Sequence, residues 1–175
     1  MFWNKFKKKK ENQFKCSTCG KVHEELASIG FKTPFHYDIL SDKEKSEIAE
    51  ISDDFCVINH PDQTDRFIRT VLNLKTENPS EELIYGVWVS VSEKSFNEYK
   101  SNYNTQTEEK IYFGIICNEI SDYEESTIGL HVNVITRLDD LRPEITPHKS
   151  NHKLVTDWEN GITLHEAYSR IEKIL

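Results

Sequence analysis

Five segments rich in β-branched and aromatic residues occupy the middle of the chain. They are FCVINH at 55–60, RFIRTVLNL at 66–74, LIYGVWVSVS at 83–92, KIYFGIICN at 110–118 and IGLHVNVITR at 128–137. Segments of this composition favour β-strands. The links at 61–65 and 75–82 are too short for the crossover that a parallel pair needs, so neighbouring strands are predicted to pair antiparallel.

The segment at 83–92 shows the alternation of a β-strand most clearly. One face carries Tyr85, Val87, Val89 and Val91, and the other carries Ile84, Gly86, Trp88, Ser90 and Ser92. Because successive side chains of a strand point to opposite faces, each set is expected to meet its own surroundings. Trp88 either packs in the core under a helix or contacts a partner, and we treat it as the candidate partner-binding residue.

Three helices are predicted, each by a capping residue that precedes apolar side chains at helical spacing. Ser41 and Glu44 have the spacing of a capping box, which predicts a helix over about 42–51. The other two helices follow Ser92 and Thr163 and cover about 93–103 and 164–174.

Strands that follow one another with helices at both ends predict an α+β fold. We expect a mainly antiparallel sheet of about five strands with about three helices and an N-terminal CxxC element that resembles a zinc knuckle. This fold is placed in a single domain at 14–175, after a flexible basic tail at 1–13.

The charge of the chain is distributed unevenly. Residues 1–10 contain five lysines and no acidic residue, so residues 11–175 carry 17 basic and 30 acidic side chains. An acidic body repels phosphate groups, which argues against nucleic-acid binding and suits a basic protein partner. No apolar run approaches the roughly 20 residues of a membrane span. The aromatic and lysine residues of the tail allow only weak contact with a membrane surface.

The stretch CSTCG at 16–20 has the form of a zinc knuckle. Two residues between Cys16 and Cys19 let both sulfurs face one ion, and Gly20 permits a left-handed turn after them. Four cysteines without an export signal indicate a reducing cytoplasm, where paired thiols more often bind metal than form a disulfide. A turn without metal is the alternative.

A structural zinc site needs four ligands, and the motif supplies two of them. His23 lies four residues beyond Cys19, which places it within reach of the same ion. The fourth ligand must come from elsewhere in the fold, and we choose Cys56, with His36 and His60 as alternatives.

The sequence contains no complete catalytic constellation. The P-loop, GxSxG, HExxH and GxGxxG motifs are absent, which removes the commonest signatures of nucleotide-binding proteins and hydrolases. Cys117 ends one predicted strand and His131 lies on the next, as a nucleophile and its base could. Cys117 stands in a strand whose residues are apolar, however, and there it serves as a small hydrophobic side chain.

Several motifs together resemble one bacterial family, catalogued as domain of unknown function 2199. They are FKCSTCGKVH, YGVWVSVSEKSF, IICN, the LRP at 141–143 and the NGITL before the last helix. The resemblance covers about residues 14–175. It implies a small bacterial cytoplasmic protein and carries over no activity or catalytic residue. It singles out Cys16, Cys19, Gly20, His23 and Trp88.

Two functions follow from these features. The first is a non-enzymatic protein-binding module with a structural CxxC metal site, whose partner could be a toxin, as for bacterial immunity proteins. The alternative is a zinc-dependent hydrolase in which Cys16, Cys19 and His23 leave the fourth position of the ion open for water.

Overall fold

The computed structural model describes residues 14–15, 22–23 and 26–174, with side chains for 26–174. The strands are β1 (Phe14–Lys15), β2 (Val22–His23), β3 (Ile29–Gly30), β4 (Ala49–Ile51), β5 (Phe55–Asn59), β6 (Thr64–Lys75), β7 (Glu82–Val91), β8 (Ile111–Ile116), β9 (His131–Ile135) and β10 (Glu144–Pro147). The helices are α1 (Phe35–Asp38), α2 (Asp42–Ile48), α3 (Glu93–Ser101), α4 (Lys153–Asn160) and α5 (Leu164–Glu172).

Five of the strands close into a barrel. Each strand from β6 to β10 pairs antiparallel with the next, and β10 then returns to β6. This closing pair is parallel, with Glu144 opposite Val71, and the Val71 N–H donates to the Pro143 carbonyl at 2.9 Å. Closure leaves the barrel strands with few unpaired edges, and the fold separates an inner from an outer wall.

Further strands extend the sheet beyond the barrel because β6 and β7 are long. β3 pairs in parallel with β7 beside Tyr85 and Gly86, whereas β8 pairs with the last residues of the same strand. β5 pairs antiparallel with the first part of β6, and β4 pairs with β5. The mainly antiparallel α+β prediction is confirmed. The described residues form an eight-stranded main sheet and five helices, where about five strands and about three helices were expected, and closure and the two parallel pairs were not anticipated.

The barrel interior holds the main core. The β7 face that carries Tyr85, Val87, Val89 and Val91 lies there, and it meets buried residues from the other barrel strands, among them Ile68, Leu72, Val132, Val134 and Ile145. Helix α3 contributes Phe96 and Tyr99, and α5 contributes Ala167 and Ile171. Helices α3 and α5 therefore complete the burial that the strands begin.

A second core lies on the outer wall of the barrel. It consists of Cys56, Ile58, Phe67, Trp88 and Cys117, all of them buried. Residues 29–40, which we call the N-terminal strap, cover part of it, and α2 and β4 cover more. The chain thus buries both faces of β7, one inside the barrel and one beneath the strap.

Two side chains fasten the strap to the barrel. The Trp88 indole N–H donates to the Phe31 carbonyl at 3.2 Å, and the Trp88 backbone N–H donates to Asn118 Oδ1 at 2.7 Å. Asn118 Nδ2 in turn donates to the Thr33 carbonyl at 2.9 Å. Because Asn118 is buried, these bonds satisfy polar groups that would otherwise destabilise the folded state.

The predicted caps are confirmed. Ser41 and Glu44 form a capping box, and Ser92 and Thr163 accept hydrogen bonds from the third residue of their helices. Helix α2 ends at Ile48, earlier than predicted, because the next residues pair with β5 as β4.

The segment after Arg142-Pro143 shows no helical signal in the sequence, and an extended or irregular conformation is expected there; this holds up to His152 and is wrong for Lys153–Asn160. It contains β10 and the helix α4. The cap of α4 is His152, whose Nδ1 accepts from the Leu154 N–H at 3.0 Å. Histidine is not among the usual capping residues, so the helix start carried no ordinary signal.

A buried ionic network joins α4 and α5 to the barrel. Arg170 Nη2 lies 2.6 Å from Asp157 Oδ2, and both side chains are nearly fully buried. Arg170 also donates to the Tyr123 hydroxyl at 2.9 Å, while the Tyr85 hydroxyl donates to Asp122 at 2.7 Å. Burial would raise the pKa of Asp157, but the hydrogen bonds from Lys153 and Arg170 outweigh it and hold that pKa below its usual value.

Arg170→Met is expected to lower the free energy of unfolding by about 3–5 kcal/mol, because it removes the buried partner of the Asp157 carboxylate and leaves only the largely exposed Lys153 to balance that charge. Urea unfolding followed by circular dichroism measures this. The double variant Arg170→Met/Asp157→Leu is expected to recover much of the loss, since neither charge of the buried pair remains. A single variant as stable as the wild type would contradict the role of the pair.

The same network makes the stability of the fold depend on pH in the acid range. The lowered pKa of Asp157 stabilises the fold above the carboxyl's unfolded pKa of about 3.9, and this contribution is lost as the pH falls through the lower folded value. Asp157→Asn should therefore lose stability at neutral pH and show a shallower decline in acid than the wild type.

Candidate protein-binding face

The outer wall of the barrel carries an exposed surface across β8, β9 and β10. Every second residue along β9, such as Val132 and Val134, is buried inside the barrel, so the residues between them face outward. Ile111 is 67% exposed and Phe113 is 52% exposed, although both are large apolar residues. We call Ile111, Phe113, His131, Asn133 and His148 the β8–β10 face.

The side chains of this face are held in place by one another. The Phe113 ring meets His131 edge-on, with ring centroids 5.1 Å apart, and it lies 5.7 Å from the ring of His148. A ring nitrogen of His148 is 2.8 Å from Asn133 Oδ1, and the His148 backbone N–H donates to the His131 carbonyl at 2.8 Å. A surface ordered before binding loses less side-chain entropy when a partner docks.

The loop between β9 and β10 extends the exposed apolar surface. It leaves β9 at Ile135, which is opposite Ile111, and carries the exposed residues Leu138 and Leu141. Arg142 anchors the loop, since its Nε lies 2.6 Å from Asp54 Oδ1.

Four exposed acidic residues lie in the segments that adjoin the face, beside one exposed lysine, Lys149. Asp139 and Asp140, at the tip of this loop, are exposed, as are Glu108 and Glu109 before β8. An apolar centre with a polar rim is the usual anatomy of a protein interface, and large exposed apolar patches are uncommon elsewhere on soluble proteins.

Residues 15–162 match the family described as "Uncharacterized protein conserved in bacteria (DUF2199)". The chain belongs to this family. The resemblance of the sequence motifs to domain of unknown function 2199 is therefore confirmed, and the match includes the barrel, the second core and α4. No curated protein and no solved structure matches the chain. Among the described residues, no helix is both long and apolar enough to cross a membrane.

The predicted zinc ligands of this family member fall largely outside the described residues. Cys16 and Cys19 lie outside them, and His23 ends β2 without a described side chain. Within the part of the chain that is described, no three His, Cys, Asp or Glu residues form a group that could hold a metal ion. The zinc site stays a prediction.

Cys56 lies in the second core, opposite Phe67 of β6. Burial raises the pKa of its thiol to about 12. Zinc binds the thiolate, so Cys56 would have to lose its proton in apolar surroundings to serve as a ligand.

The two alternative fourth ligands lie in different settings. The ring of His36 packs on Phe67 with centroids 5.3 Å apart, and its Nδ1 is buried without a hydrogen-bond partner among the described residues. His60 Nε2 is 3.4 Å from Asp65 Oδ2.

Trp88 occupies the core position that was the alternative to a binding role. Its side chain is fully buried, and its indole N–H is used by the strap. The ring therefore contacts its own chain on all sides, and it supports the strap directly rather than forming an exposed surface.

Cys117 and His131 lie in different environments. Cys117 is in the second core, and burial raises the pKa of its thiol to about 12. His131 is exposed and stacks against Phe113. This arrangement agrees with the structural role assigned to Cys117 and gives it no catalytic one.

Sequence reasoning missed the β8–β10 face. A usable signal was present, because both faces of the strand in KIYFGI carry apolar residues. The face of a strand that points to water is normally polar. An apolar second face must be covered by the same chain or offered to another one.

Cys56 and Cys117 are expected to resist iodoacetamide in the native protein, because burial keeps both thiols protonated and inaccessible. Mass spectrometry of the two peptides after labelling at mildly alkaline pH tests this, and the same reaction in urea serves as the positive control. Rapid labelling of either thiol before unfolding would contradict the burial of the second core.

Proposed function

We propose that this protein is a non-enzymatic protein-binding module that uses the β8–β10 face. The observation that carries the proposal is the exposed Phe113 ring, which lies between His131 and His148 on a part of the outer wall that the described residues leave exposed. Aromatic residues held at the centre of a patch supply much of the binding energy at protein interfaces.

The partner we propose is a basic protein. Exposed acidic residues around the face, among them Asp139 and Asp140, would attract positive charge and speed association. The excess of acidic over basic side chains in residues 11–175, 30 against 17, acts in the same direction. A basic toxin that this bacterial protein neutralises, as immunity proteins do, fits these features, and the protein would then act in the cytoplasm.

Capture from a bacterial lysate tests the proposal with matched variants. Phe113→Ser is expected to weaken binding by about 2 kcal/mol or more, roughly 30-fold, because it removes the central anchor. Ile39→Ser is the control, since Ile39 is a 64% exposed apolar residue of the strap that is not part of the face. Thermal melting of both variants excludes a folding defect.

Two results would count against the proposal. One is the recovery of no specific partner across a range of salt concentrations. The other is a partner that binds Phe113→Ser as tightly as Ile39→Ser. Charge reversal at Asp139 and Asp140 should slow association and reduce its salt dependence if the partner is basic.

We also propose that Cys16, Cys19 and His23 hold a structural zinc ion. Support comes from the motif itself and from the antiparallel pairing of β1 with β2, in which Phe14 is opposite His23. That pairing brings together the residues that flank the motif. For the fourth position we keep Cys56, and His36 is the alternative whose buried Nδ1 has no hydrogen-bond partner among the described residues.

Metal analysis of freshly purified, tag-free protein tests the zinc proposal. We expect about one zinc per chain, its loss in Cys16→Ser and Cys19→Ser, and a lower melting temperature, because structural zinc contributes several kcal/mol or more to folding. Cys117→Ser should keep the metal, and Cys56→Ser, His36→Ala and His60→Ala identify the fourth ligand. Metal-free protein whose melting temperature chelator leaves unchanged would refute it.

A further inference from the structure

Two histidines lie directly opposite each other on the outer wall of the barrel. Pro147 of β10 pairs with Val132 of β9. The next pair in this register is His148 with His131, and the His148 backbone N–H donates to the His131 carbonyl at 2.8 Å. Val132 and Pro147 are buried, so the two histidines point outward. The Cβ atoms of such a pair are about 5 Å apart, which keeps the two imidazole rings close together.

The two rings lie within the span of a single metal ion. Their centroids are 6.3 Å apart and their planes are nearly perpendicular. An imidazole nitrogen binds a transition metal at about 2.0–2.1 Å, so two rings bound to one ion have centroids about 5 Å apart in tetrahedral geometry and about 6.5 Å apart on opposite sides of the ion. The observed separation falls within this range, so the backbone does not have to move for both rings to bind one ion.

The hydrogen bonding of the two rings leaves nitrogen lone pairs for such an ion. His148 Nε2 is 2.8 Å from Asn133 Oδ1. An amide oxygen only accepts, so this nitrogen carries the proton, and Nδ1 of the neutral ring keeps its lone pair. Neither this Nδ1 nor the ring nitrogens of His131 form a hydrogen bond within the described part of the chain. A metal-binding histidine commonly donates its second ring nitrogen to an oxygen in this way, which fixes its tautomer and orientation.

The pair is accessible to an ion from solvent. His131 is exposed, and His148 Nδ1, unlike the unpaired Nδ1 of His36, is not buried. The Phe113 ring packs against both histidine rings and limits their movement. No third His, Cys, Asp or Glu of the described chain joins the pair, so water must fill the remaining positions around an ion. Imidazole suits zinc, nickel and copper, whereas magnesium prefers oxygen ligands.

We propose that His131 and His148 bind a divalent transition-metal ion on the outer wall of the barrel. Nδ1 of His148 and one ring nitrogen of His131 are the protein ligands, and Asn133 is a positioning residue that orients the His148 ring. The site is separate in sequence and in ligands from the zinc site proposed at the CxxC motif. It lies on the β8–β10 face, but the protein binds the ion without a partner, so it does not depend on the proposed function.

Titration of tag-free, ¹⁵N-labelled full-length protein with NiCl₂ tests the proposal, because paramagnetic Ni²⁺ broadens the resonances of nearby amides. We expect the amides of 131–133 and 147–149 to broaden first. Diamagnetic ZnCl₂ should shift the same amides, and MgCl₂ at the same concentration should leave them unchanged.

Matched variants separate the pair from a general affinity of surface histidines for metal. His131→Gln and His148→Gln are each expected to weaken nickel binding about tenfold or more, since each removes one of two protein ligands. Asn133→Ala should weaken it about tenfold by releasing the His148 ring, and Asn133→Asp, which keeps an acceptor, should restore it. His165→Gln, at an exposed histidine of α5, should bind as the wild type does.

Three results would overturn the proposal, with thermal melting used to establish that each variant is folded. The first is the absence of broadening around His131 and His148 in the wild type. The second is unchanged broadening there in His131→Gln or His148→Gln. The third is broadening that both of these variants keep and Cys16→Ser loses, which would place the ion at the CxxC motif. The assay contains no partner, so failure to capture a partner protein leaves its outcome unaffected.

Discussion

The return of β10 to β6 is the constraint on which the rest of the structure depends. It closes five strands into a barrel, and closure gives every barrel strand one face inside and one face outside. The inside is filled by apolar side chains from all five strands. The outside is a single wall, and its parts differ in which segments of the chain cover them. These differences decide which residues are buried and which are exposed for binding.

One part of the outer wall is covered by the strap, which buries Trp88 and Cys117 in a second core. Another part faces α4 across a groove that retains acidic side chains and the unpartnered Asn73 oxygen. A third part, around Phe113, is left open by the described residues although it is apolar. Burial and exposure of different parts of the wall therefore account for the second core and for the candidate protein-binding face.

Buried polar groups specify how the covering elements attach. Asn118 bonds both β7 and the strap, and Arg170 bonds Asp157 and Tyr123 where α4 and α5 meet the barrel. An apolar contact tolerates small shifts of one element over another, whereas a buried hydrogen bond does not, because its loss leaves an unsatisfied group. The strap and the terminal helices are therefore held in one arrangement.

Local features were predictable because their causes lie within a few residues. The capping box of Ser41 and Glu44 and the alternation along β7 needed no knowledge of the fold. Helix α4 was not found because a histidine caps it, and β10 was not found because four residues carry too little periodicity. Trp88 could be assigned to a face, but what covers that face depends on the strap, which is distant in sequence.

The sequence by itself determined the strands β5 to β9, the caps of α2, α3 and α5, the acidic character and the family, since composition, spacing and motif are properties of neighbouring residues. Only the tertiary structure decided that the sheet closes, that Trp88 is buried and that Phe113 is exposed beside two histidines. The physical reason is that alternation assigns a side chain to one of two faces, whereas exposure depends on which distant segment packs against that face.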